Sequence, residues 1–128
     1  MSSPVNYSLT DEHLSVFRRA VVRYAKYYGL LNWHVEVYFG ESSDALAWVR
    51  PAVEAHRADV YLATTWDEEP TVRKLVEKAR HEIMHVIVAD LAHVGAQRYV
   101  SESQLNEAEE QLVLRLLAIT RVLPEKKA

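Results

Sequence analysis

A chain of 128 residues, 49% hydrophobic and 26% charged, is expected to form one globular domain, large enough for a core and too short for two. A net charge of -3 and a pI near 6.1 argue against the basic footprint of a general nucleic-acid or membrane-surface binder. Cysteine is absent, which excludes disulfides and thiolate metal sites and leaves histidine and carboxylate as ligands for any tightly held metal. Met1-Ser2-Ser3-Pro4-Val5 shows no secretory signal and no apolar run spans a membrane, so a cytoplasmic protein is expected.

Ser8-Leu9-Thr10-Asp11 predicts a helix start, with Thr10 or Ser8 as N-cap, and Leu14, Phe17, Val21, Tyr24 and Tyr28 recur at helical spacing until Gly29. Residues 33–39 alternate as a strand stopped by Gly40. Residues 45–49 and 51–56 read as a second extended piece with a bulge at Pro51, and 59–63 as a third strand before a turn at 64–67. A helix is expected from between Glu68 and Thr71, with Pro70 in its first turn, to about His93, with Gly95 as cap. Its apolar face comprises Val72, Leu75, Val76, Ala79, Ile83, Val86 and Ile87. Ser101 opens a last helix that runs toward Pro124, burying Leu105, Leu112, Val113, Leu116, Leu117 and Ile119.

The chemistry centres on His81-Glu82-Ile83-Met84-His85. Residues four apart share a helix face, so His81 and His85 can offer two imidazole nitrogens to one metal ion. Glu82 can then reach a water in the open coordination position and take its proton. The following Val86-Ile87-Val88-Ala89 makes the helix apolar nearly all round, and buried imidazoles need partners. The bland alternative is two neutral core histidines bonded to backbone carbonyls, without metal.

A third protein ligand is needed. Position 91 is leucine, and His93 lies nearly three and a half turns from His81, where it suits the last carbonyls of the helix better. The search moves to Asn106-Glu107-Ala108-Glu109-Glu110-Gln111. Leu105, Leu112 and Leu116 centre the apolar stripe, Glu109 falls within it, Glu110 lies at its edge, and Glu107 points nearly opposite. Phase favours Glu110, then Glu109, then Glu107.

With an H-E-x-x-H helix and a downstream glutamate, residues 72–123 resemble the zincin metallopeptidases of gluzincin type. The chain looks closest to small bacterial and phage zincin-like proteins, SprT-like and ImmA-like in outline. Glu110-Gln111-Leu112-Val113 is similar to their third-ligand helix, whereas Asn106-Glu107-Ala108 resembles the N-E-A of thermolysin-like enzymes and would promote Glu107. Gln111 then stands where those enzymes carry an acidic residue. Trp33 opening a strand also suits the layout. The resemblance implies a minimal zincin-like α+β fold: N-terminal helix, short twisted three-stranded sheet, H-E-x-x-H helix and C-terminal helix.

It further implies Zn²⁺ held by His81, His85 and Glu110, Glu82 as general base, and a protein or peptide substrate added to an edge strand, with residues 59–63 the candidate. Tyr99, His93 and His56 are candidates for stabilising the oxyanion. The rival reading is a non-catalytic zincin-like metal-binding module acting on a protein or DNA partner. An intact Glu82 favours chemistry, because a purely structural site has no need of that base.

Overall fold

The computed structural model describes residues 6–42, 44–96 and 101–119. A short strand, β1 (Tyr7–Ser8), precedes α1 (Asp11–Tyr27). Thr10 caps α1: its Oγ1 accepts from the His13 N–H at 3.3 Å, and its own N–H donates to His13 Nδ1 at 2.9 Å. Phe17, Ala20, Val21, Tyr24 and Ala25 recur on one face of α1 and are buried. Gly29, at φ +83°, takes the left-handed conformation that turns the chain out of the helix.

Next come β2 (His34–Gly40), β3 (Ala47–Ala52), a 3₁₀ turn (Val53–Ala55), β4 (Arg57–Ala63) and β5 (Thr65–Trp66). The three longer strands lie in the order β2-β4-β3, with β4 parallel to β2 and antiparallel to β3. β4 is therefore central. This corrects the expectation that residues 59–63 form a substrate-accepting edge: both sides of β4 are already hydrogen-bonded, and among the described residues the open edges belong to β2 and β3. Residues 65–66, expected within a turn, pair instead with β1 as a two-stranded antiparallel sheet.

The expected bulge at Pro51 is absent, since Arg50 pairs with Asp59 and Pro51 with Ala58 in unbroken register. The Ala63 N–H donates to the Leu46 carbonyl at 2.9 Å, which sets the ladder's parity. Trp48 and Arg50 thus bond to β4, while Ala47, Val49 and Pro51 turn their backbone outward. Proline fits there because no ladder bond needs its missing N–H. The extended run expected to His56 ends at Ala52, and His56 adopts a left-handed conformation after the 3₁₀ turn.

α2 (Val72–Ala96) starts after Thr71, whose Oγ1 accepts from the Lys74 N–H at 3.2 Å. Pro70 therefore precedes the cap, and Gly95 lies inside the helix that it was expected to end. α3 spans Glu102–Ile119, one residue after Ser101; its expected continuation to Pro124 lies outside the described residues.

The architecture is α+β. Val60 and Leu62 of β4 are buried with Val37, packed with Phe17, Val21 and Tyr24 of α1 and Leu75, Ala79 and Ile83 of α2 in one core. Val72, at the start of the expected apolar face, is exposed. A second, smaller cluster joins Met84 and Val88 of α2 to Val113 of α3, with Ile87, Leu117 and Tyr28 packed around them. Among the described residues, no helix is long and apolar enough to cross a membrane.

Candidate metal centre

One helical turn separates His81 from His85 on α2, and their Nε2 atoms lie 3.2 Å apart. Two neutral imidazoles that close require a proton or a cation between them. Across the seam, Val113 of α3 is fully buried, which brings Glu109 and Glu110, four and three residues earlier, onto the side facing α2. Glu110 Oε1 lies 3.4 Å from His81 Nε2, and Oε2 lies 3.1 Å from His85 Nε2. These three side chains could hold a metal ion. The separations suit one: a tetrahedron with metal–ligand bonds of 2.0–2.1 Å has edges of about 3.3–3.4 Å.

Glu109 takes a different place. Its Oε1 faces the other ring nitrogen of His85, Nδ1, at 3.6 Å, and both side chains are largely covered. A carboxylate behind a ligating imidazole favours the tautomer that leaves Nε2 free to ligate. Glu107 is exposed and stands apart from this convergence. Beneath the site, the buried guanidinium of Arg80 ties the helices together, donating from Nη2 to the Leu117 carbonyl at 2.9 Å and from Nε to the Tyr28 hydroxyl at 3.4 Å.

Burial pushes the pKa of His81 down, assisted by the neighbouring His85 and opposed by Glu110. The neutral imidazole is the form that ligates. Glu82 is only 6% exposed. Burial, reinforced by the charge of Glu110 and opposed by Lys78, pushes its carboxyl up to about 8. A cation at the neighbouring ligand set favours the ionised form and counters that burial.

No protein family, curated protein or solved structure matches this chain.

His81 and Glu82 line a cleft of about 670 Å³, together with Lys78, Asn6, Ser42, Asp44, residues 45–47 and residues 65–67. The entry to β3 is fixed there by Trp66, whose buried indole donates to the Leu46 carbonyl at 3.1 Å. Ala47, one of the outward-turned edge residues, lines the cleft beside Glu82. The sequence reading did not single out Lys78, yet it lies three residues before His81 and four before Glu82, the spacing that puts it on their face. Of the expected oxyanion donors, His56 is exposed, stacks on Trp33 at 5.6 Å and does not line the cleft. The side chain of His93 and the whole of Tyr99 lie outside what is described.

Proposed function

We propose that the protein is a zinc-dependent metallopeptidase of zincin type, with His81, His85 and Glu110 as metal ligands and Glu82 as general base. The carrying observation is that Glu82, buried and adjacent in sequence to a convergent two-histidine, one-carboxylate donor set, opens into a cleft bordered by a free strand edge. A metal held only structurally would have no use for such a base. The donor set, nitrogen and oxygen without sulfur, is of the kind found in catalytic zinc sites with three protein ligands.

An extended peptide pairs with the outward N–H and C=O of Ala47 in β3, which carries its backbone past His81 and Glu82. Zinc held by His81, His85 and Glu110 would supply a Lewis acid for the scissile carbonyl and a water of lowered pKa. Glu82 would be placed to accept one proton from the attacking water as the water's oxygen bonds to the carbonyl carbon. The same proton passes to the amide nitrogen as the C–N bond breaks. Glu109 holds the ring of His85 throughout, and Arg80 keeps α3 registered on α2.

Metal analysis paired with two variants tests this reading. Wild type and Glu82→Gln are expected to bind one equivalent of zinc, and His81→Ala to lose it. With a proteome-derived peptide library, wild type should generate products that Glu82→Gln does not. Failure to take up zinc on dialysis, or identical product profiles for the two proteins, would refute the proposal.

A further inference from the structure

Lys78 is half-buried and lines the same cleft as His81 and Glu82. Its neighbours on α2 are paired: Lys74 lies 3.9 Å from Glu68, and Arg73 lies 3.2 Å from Glu77. Lys78 has no carboxylate at ion-pair distance among the described residues. A half-covered ammonium with no carboxylate at ion-pair distance keeps donors available to an acidic ligand. The cleft's carboxylates are Glu82, whose ionised form Lys78 favours, and Asp44 and Asp67, which are exposed, with Asp44 already accepting from Ser42 Oγ at 3.0 Å.

We infer that Lys78 determines specificity, selecting peptides that carry an aspartate or glutamate side chain beside the scissile bond. The inference rests on the peptidase reading and names the substrate class for that site. Lys78 sits one helical turn before His81 on the face shared with Glu82, so its ammonium serves a side chain flanking the bond, not a remote subsite. A charge-assisted contact in a half-covered cleft gives discrimination of about tenfold against the uncharged isostere. Asp44 and Asp67 disfavour acidic residues elsewhere along the cleft, which confines the preference to one position.

The peptide library is digested with zinc-loaded wild type, Lys78→Met and Lys78→Glu. Acidic residues should be enriched at one position adjoining the cleaved bond in wild type, lose that enrichment in Lys78→Met, and give way to Lys or Arg in Lys78→Glu. A binding measurement then uses inert Glu82→Gln protein and peptides that differ only by Glu against Gln at that position. About tenfold tighter binding of the Glu peptide is expected, and the difference should vanish when Lys78→Met is added. Cleavage by wild type without an acidic preference, or a preference that survives Lys78→Met, overturns the role of Lys78 and leaves the peptidase reading standing. Absence of any cleavage dependent on Glu82 overturns both.

Discussion

Glu82 carries the sharpest electrostatic consequence at the scale of single residues. Its folded pKa of about 8 lies above the ordinary 4.5 because burial disfavours the carboxylate. The metal-free folded chain therefore binds this proton more tightly than the unfolded chain. That contribution to stability is full below about pH 4.5 and is lost as pH rises toward 8. In chelator, Glu82→Gln should lack this loss, so its Tm should exceed that of wild type increasingly from pH 5 to pH 8. Parallel Tm curves over that range would contradict the assignment. The pentapeptide around Glu82 was legible because four-residue spacing alone stacks His81 over His85. Helical phase ranked Glu110 first among the acidic residues, and the structure places its carboxylate against both Nε2 atoms. The placement of Glu109 behind His85 was not legible, since it depends on how two helices meet and not on either one's period.

Among the elements, β3 matters most for what the cleft can accept. Ala47 turns its N–H away from β4, so its loss leaves the β3–β4 ladder intact. Ala47→Pro is expected to keep a wild-type circular dichroism spectrum and bound zinc, yet to lower kcat/KM on extended peptides at least tenfold through the lost backbone pairing. Unchanged kcat/KM would remove β3 from substrate binding. The longer strands could be read from alternation, because Val37, Val60 and Leu62 face the helices while Glu36, Asp59 and Tyr61 do not. Strand order could not be read, for alternation records which face is buried and not which neighbour lies alongside. β1 and β5, two residues each, are too short to show any period.

For the molecule as a whole, the division between two apolar clusters sets the effect of a metal. The main core joins α1, the sheet and α2, whereas α3 meets α2 through the smaller cluster around Val113. His81 and His85 lie on α2 and Glu110 on α3, so an ion held by all three would cross-link these parts. Free zinc at a hundred times its Kd should stabilise the fold by about 2.7 kcal/mol, raising Tm by roughly 10 °C at this chain length. Glu110→Gln should remove most of that rise in a thermal scan, and a full rise in the variant would exclude Glu110 as a ligand. The α+β class was legible from the order of periodic segments. The second sheet and the position of the cleft were not, because both depend on residues near 7, 44 and 66 meeting at long range.

Pro51 follows Ala47 and Val49 among the outward-turned positions of β3, and there the edge has no donor to offer. An incoming strand can zip along the first half of β3 and then runs out of partners. On the peptidase reading, that interruption would limit how much extended chain the cleft grips at once, favouring loose ends and short unfolded stretches over continuous β-structure. It also blunts the exposed edge as a template for fibrils, so an edge proposed to receive a peptide is poorly suited to growing an aggregate from copies of the protein itself.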